Sequence, residues 1–347
     1  MADQPLRRNP AWFGSVMGTS ALAIAFWQES SFVSWFAVVS EVLLVLASIV
    51  ALVLLPVYAS RPRHRAEFMR EIADPGSGAM LATFPAGLLL LAAAWGTISP
   101  AVLGETVALA ISAILLACGA IIAVALSVVW AAEQTRGAHD LGAVNGGWLI
   151  PPAMNLLVPL SVAPMMVAHP EQAELLLAIG FGFYGVGLVL FLAVFALLLT
   201  RLALRPPLPA VMLPAMWIPI APATLMGLSL TRLLQAGDTV GLIPESLLAL
   251  GTIVSAMGVG LGLWWTLYAL GNLISARRSG GVPFHPGWWG FVFPLAALQI
   301  SVADLGALLD NGVIGALGLI GLAGLALLWC IVAYLSSAAV IAARRGA

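Results

Sequence analysis

The sequence predicts an all-α polytopic membrane protein: ten transmembrane helices paired as five helical hairpins. An inner ring of bent odd-numbered helices surrounds a central pore, and an outer ring of straight even-numbered helices encloses it. Three observations carry that prediction. Hydrophobic residues make up 62% of the 347-residue chain and charged residues only 8%, with a mean hydropathy of +1.06. A soluble protein of this length needs far more polar surface. Apolar runs of membrane-spanning length recur ten times, at 11–27, 33–56, 79–97, 103–131, 146–168, 173–199, 210–231, 246–270, 287–307 and 313–339. Proline is found inside alternate runs only.

Span one follows Arg7-Arg8 directly and reads as a retained span rather than a cleaved signal peptide. It lacks proline but carries Gly14 and Gly18, a small-xxx-small pair that lets a neighbouring helix approach. Span two holds Glu41, read either as a satisfied or protonated carboxyl at a helix or subunit contact or as a proton-coupling site. The connection that follows, Ala59 to Gly78, is the longest and most charged. Span three carries Thr83, Phe84 and Pro85, and span five carries Pro151, Pro152, Asn155 and Pro159. Span seven carries Pro214, Pro219 and Pro222, with Arg232 at its far end. Spans two, four, six, eight and ten have no proline in their interiors. Span eight has Gly258 and Gly262 at small-xxx-small spacing, for packing within or between protomers. In span ten, glycine recurs every third residue from Gly312 to Gly324, a strip suited to tight packing.

Span nine organises the reading. Paired tryptophans, Trp288 and Trp289, stand at its edge, and Phe293 immediately precedes Pro294 deep in the apolar run. Proline lacks an N–H, and its ring clashes with the carbonyl one turn back. In hydrocarbon such a break survives only where protein or a water-filled cavity satisfies the freed groups. The span is therefore read as a wall of a pathway, with Phe293 the residue best placed to plug it. Ala297, Gln299 and Ser301 are the further lining candidates on this span, alongside the residues named on spans one, three, five and seven. Asp304 follows Phe293 by eleven residues, about three turns, which puts both on one face of a regular helix. Asp304 either pairs with Arg232 to shape a vestibule or is solvated at the surface; in a proton-coupled carrier, Asp304 or Glu41 is the proton site.

All fourteen basic residues are arginine. Ten spans put every one of them on a single side except Arg232, so both termini are expected in the cytoplasm, in the inner membrane. No connection is long enough for an extramembrane domain, and 1–347 reads as one transmembrane domain. Cys118 and Cys330 are expected to be free, buried thiols. Motifs of hydrolases, zinc peptidases, P-loop proteins and dinucleotide binders are missing, as are basic–aromatic patches for nucleic acid. His64, His139, His169 and His285 are scattered among connections on both sides. The expectation is therefore no enzyme, no cofactor and no metal site. No basic residue falls at mid-membrane, which argues against a tight dianion cage. It favours a path that holds anions weakly enough to release them, with arginines at the inner mouth concentrating them.

Four segments give the chain a resemblance. They are Pro10-Ala11-Trp12-Phe13-Gly14-Ser15-Val16-Met17-Gly18-Thr19, Ala82-Thr83-Phe84-Pro85-Ala86, Trp148-Leu149-Ile150-Pro151-Pro152 with Asn155, and Trp288-Trp289-Gly290-Phe291-Val292-Phe293-Pro294. Together they resemble the tellurite-resistance/dicarboxylate transporter family, which includes bacterial TehA, the slow-type anion channels of plant guard cells, fungal malate permeases and the fungal sulfite exporter. The resemblance implies a homotrimer in which each subunit holds its own pore, occluded by a phenylalanine on the ninth helix; Phe293 matches it. It also implies transport of small anions, either C4-dicarboxylates such as malate or inorganic anions. A proton-coupled carrier of C4-dicarboxylates or sulfite is the alternative.

Overall fold

The computed structural model describes residues 9–98, 103–278 and 280–345. Arg7 and Arg8 lie outside the described residues, as do the side chains of Arg344 and Arg345. The described regular structure is helical: α1 (Gly14–Gln28), α2 (Trp35–Ala59), α3 (Arg65–Ala73), α4 (Thr83–Ile98), α5 (Glu105–Arg136), α6 (Ile150–Ala168), α7 (Ala173–Leu204), α8 (Ile220–Thr239), α9 (Leu248–Arg277), α10 (Trp289–Leu308) and α11 (Gly312–Arg345). Nine helices among the described residues are long and apolar enough to cross a membrane. The remaining crossing is α1, whose 15 residues are extended at both ends by 3-10 turns, Pro10–Phe13 and Glu29–Ser31. The protein is a multi-pass membrane protein, and α3 is a short helix within the charged connection.

Burial separates the helices into two rings. In α4, α6, α8 and α10, 78–89% of the apolar window is buried inside the protein; in α2, α5, α7, α9 and α11 the share is 22–28%. α1 is buried along almost its whole length. Neighbours close a circle, α1 to α4 to α6 to α8 to α10 and back to α1. Each outer helix packs on its own hairpin partner and on the next inner helix, α2 on α4 and so on round to α11 on α1. Because every inner helix is followed by an outer return, all five inner helices run parallel.

Composition explains the sorting. The outer helices have mean hydropathies of 1.9–2.8, and the four inner ones in the same comparison 1.5–1.7. Hydroxyls that lipid would leave unpaired are spent instead between helices. Ser161 Oγ of α6 donates to the Leu89 carbonyl of α4 at 2.7 Å, and Ser229 Oγ of α8 to the Leu156 carbonyl of α6 at 2.5 Å. Ser40 of α2 and Ser112 of α5 donate in the same way to Ala23 and Ala92 of their inner partners. The Gly258/Gly262 pair serves packing within the chain. A Cβ on Gly258 would come within 2.5 Å of the Ala223 carbonyl of α8, so only glycine permits that approach.

The prolines mark the inner ring by a different route from mid-span bending. Each inner crossing opens with a 3-10 turn: Pro10–Phe13, Gly78–Ala82, Gly146–Leu149, Ala210–Trp217 and Pro286–Trp288. Pro85, Pro151, Pro152 and Pro222 stand in the first turn of the α-helix that follows, and Pro219 caps one. There the missing N–H has no intrahelical partner to lose. Pro159, Pro164 and Pro294 are the ones inside inner α-helices. The inner α-helices are consequently short, 15–20 residues against 25–34 for the outer ones. Pro56, in the last turn of α2, is the single proline of the outer helices. Cys118 and Cys330 are free as expected but exposed on outer helices rather than buried, in positions where a small apolar thiol suits lipid.

Candidate conduction path

Two cavities lie along the axis of the inner ring. The larger, about 820 Å³, opens at the arginine-rich end and is walled by the first turns of all five inner crossings, among them Gly14, Met17, Thr83, Ala153, Ile218 and Gly290. The smaller, about 380 Å³, lies toward the other end and again draws on all five, with Ala21, Leu90, Leu160, Leu228 and Ala297 among its walls. Phe293 lines both cavities and is the one residue common to the two. Its side chain is 5% exposed. The lining recurs at helical spacing: Gly14, Met17, Ala21, Ile24 and Gln28 on α1, and Phe293, Ala297 and Ile300 on α10.

The larger cavity gathers the N-terminal ends of five parallel helices. Each end carries roughly half a positive elementary charge from its unpaired N–H groups, screened according to exposure. The sequence reading expects the mouth arginines to concentrate anions at this end. Of those, Arg70 lines the cavity, and α3 brings Glu67 and Glu71 there with it, followed by Asp74. Glu71 is paired with Arg61, and Asp74 accepts from the backbone N–H of Ser77 at 2.7 Å.

Three of the five 3-10 turns that open the inner crossings have polar caps. Asn9 Oδ1 accepts from Ala11 N–H at 2.9 Å and Asn145 Oδ1 from Gly147 N–H at 2.8 Å. His285 Nδ1 accepts from Gly287 N–H at 3.1 Å while its Nε2 donates to the Val211 carbonyl at 2.9 Å, joining the approach to α10 to the approach to α8. That arrangement uses the neutral ring. Burial pushes the pKa of His285 below its ordinary value, and the bond to Val211 opposes the shift.

At the far end, Arg232 of α8 lines the smaller cavity and donates to Asp304 Oδ1 of α10 at 2.6 Å. The pairing option for these two residues is the one the structure adopts. Pro294 and Ala297 also lie on the path, as do Gly14 and Thr83, whose hydroxyl donates to the Pro10 carbonyl at 2.9 Å.

The other expected lining residues stand on neither cavity. Gly18 faces α10, where a Cβ would come within 3.0 Å of Trp289 and Val292. Phe84 belongs to an aromatic cluster with Phe13 and Tyr58. Pro151, Pro152, Pro219, Pro222 and Pro85 are buried in the packing of the first turns. Asn155 is fully buried and donates back to the Pro151 carbonyl at 2.8 Å. Gln299 points toward α11, donating to the Gly318 carbonyl at 3.3 Å, and Ser301 is buried off the axis. Glu41 is half-buried on the outer helix α2. Sequence reasoning passed over Glu29, a carboxylate 3% exposed whose hydrogen-bond partner is the neutral Gln299 amide at 3.4 Å.

A ring of five parallel inner helices around two axial cavities is the architecture of a multi-pass membrane transporter. Comparison with known proteins agrees. The chain belongs to the voltage-dependent anion channel (SLAC1) family, whose sequence profile matches residues 7–336. This meets the expectation drawn from the four segments, and the family is one of channels and transporters rather than enzymes. An uncharacterized transporter of Methanocaldococcus jannaschii is 31% identical over 160 residues, which is 46% of this chain and 44% of that protein. A second transporter of the same organism is 30% identical over the same length, so the match spans less than half of either relative. The sulfite efflux pump SSU1 of Arthroderma otae is 22% identical over 335 residues, 93% of this chain and 88% of the pump.

Proposed function

We propose that this protein passes small anions across the inner membrane along the axis of its inner ring, and that the ring of Phe293 is the gate. The observation that carries the reading is that Phe293 belongs to the walls of both axial cavities. Five helix N-termini at the larger cavity supply an attraction for anions without a fixed basic residue at mid-path, which suits passage rather than retention. Small inorganic anions and C4-dicarboxylates such as malate are the candidate substrates. The assembly is a homotrimer with a separate path in each subunit.

Opening requires the phenyl ring to leave a nearly closed seat, which costs about 1.5–3 kcal/mol in lost burial. Phe293→Ala removes that barrier, so anion flux in proteoliposomes is expected to rise roughly ten- to a hundredfold. Wild-type flux in a correctly assembled Phe293→Ala protein would remove the gate.

A second reading is a proton-coupled carrier for sulfite or a C4-dicarboxylate. Its support is Glu29, buried beside α10 with a neutral partner, in place of Glu41 on the lipid-facing ring. It predicts flux that follows an imposed pH gradient in wild type and ignores it in Glu29→Gln. Flux indifferent to the gradient in both proteins leaves the passive path.

A further inference from the structure

The two cavities differ in how they meet an anion. The larger is bordered by helix N-termini. The smaller is bordered by the later turns of the same parallel helices, whose dipoles present their negative ends there. An anion at that end therefore needs a fixed cation, and Arg232 is the one basic side chain among the residues that line it.

Arg232 is held rather than free. It donates to Asp304 Oδ1 at 2.6 Å and to Gln235 Oε1 at 3.2 Å. Two of its five N–H donors are so engaged, and the fork retains three for a ligand. The Arg232 side chain is 38% exposed and that of Asp304 only 8%, so the cation faces the cavity and its counter-ion stands behind it. Asp304 Oδ2 is buried with no hydrogen-bond partner among the described residues, so the bond from Arg232 to Oδ1 is what holds this carboxyl group in place. Gln28, Thr97, Gln235 and Thr239 add neutral polar groups to a largely apolar wall.

We propose that Arg232, backed by Asp304, is a selectivity subsite that takes small, singly charged oxyanions in preference to dianions. The proposal rests on the anion-path reading above. A cation with its counter-ion directly behind it acts as a dipole. Its attraction for a ligand grows in proportion to ligand charge, whereas the cost of removing that ligand from water grows with the square of the charge. A dianion thus loses more in desolvation than one half-neutralised guanidinium returns. A monoanion can accept from the planar fork at an acceptable cost.

The test is flux of nitrate and of succinate into proteoliposomes holding the full chain. Wild type is expected to favour nitrate. Asp304→Asn exposes the full guanidinium charge and is expected to lower the nitrate-to-succinate ratio by about tenfold, the scale of a partly screened charge interaction. Arg232→Gln is expected to raise the nitrate KM severalfold. The double variant Arg232→Gln/Asp304→Asn leaves no buried lone ion that could impair folding, and it is expected to show the raised KM with a nitrate preference at least as strong as wild type, because the desolvation cost of the dianion is then met by no cation. An unchanged ratio in Asp304→Asn, or a ratio lowered as far in the double variant as in Asp304→Asn, overturns the subsite. Wild-type protein that passes neither anion overturns the path itself, a separate failure.

Discussion

His285 shows how a single side chain at the mouth is committed to one protonation state. Its Nδ1 must stay bare to accept from Gly287, and burial holds its pKa below the ordinary 6.5. The folded chain therefore binds fewer protons here than the unfolded chain. Stability from this group is fully present above pH 6.5 and is lost as pH falls below that value toward the depressed folded pKa. The melting temperature in detergent should fall with acidification from about pH 8 to about pH 5. His285→Asn, which keeps a capping acceptor but cannot titrate, should flatten that slope; an equal slope in both proteins would contradict the assignment. At the same scale, the path was only partly legible in the sequence. Phe293 was singled out by the proline that follows it, and Ala297 and Ile300 continue its stripe along the axis, while Asp304, eleven residues on, stands on neither cavity and pairs with Arg232 instead. Gln299 and Ser301 drew attention because they are polar, but their register turns them off the axis. In a crowded helical ring, polarity often serves neighbouring carbonyls, so spacing is the better guide to what faces the axis.

At the scale of the element, the inner helices are joined to one another by side chains as well as by shape. Ser161 links α6 to α4, and Ser229 links α8 to α6. Inside a membrane such a bond contributes about 0.6 kcal/mol, because the separated helices find substitute partners. The double variant Ser161→Ala/Ser229→Ala should lose about 1 kcal/mol of stability, roughly the sum of the singles. Unfolding in graded SDS measures it, and no change would mean the contacts are incidental. The two-ring order was legible because proline, costly inside a helix, clusters where helices begin. The 3-10 turns ahead of each inner helix were not legible, since their residues read as continuous apolar run. α3 was missed because nine residues of mixed charge carry too little periodicity to separate a helix from a loop.

At the scale of the molecule, the proposal of a homotrimer makes a distinct prediction. Separate paths mean that mixed trimers carrying one, two or three Phe293→Ala subunits should gain flux in equal steps. A single shared path would respond all at once, and chain-linked trimers of defined composition distinguish the two. Whole-molecule electrostatics were legible only in part. Counting arginines located one end, but the parallel direction of five dipoles follows from topology and not from any residue.

The circle of inner helices has one further implication, set by its last seam, where α10 and α11 meet α1. Until the final hairpin inserts, the first four form an open-sided trough, with bilayer where the remaining wall belongs. A nascent chain therefore holds no closed circle of inner helices before that hairpin is in place. On the proposed reading, the path and the residue that closes it are completed in the same step, because the last wall is the one that carries Phe293.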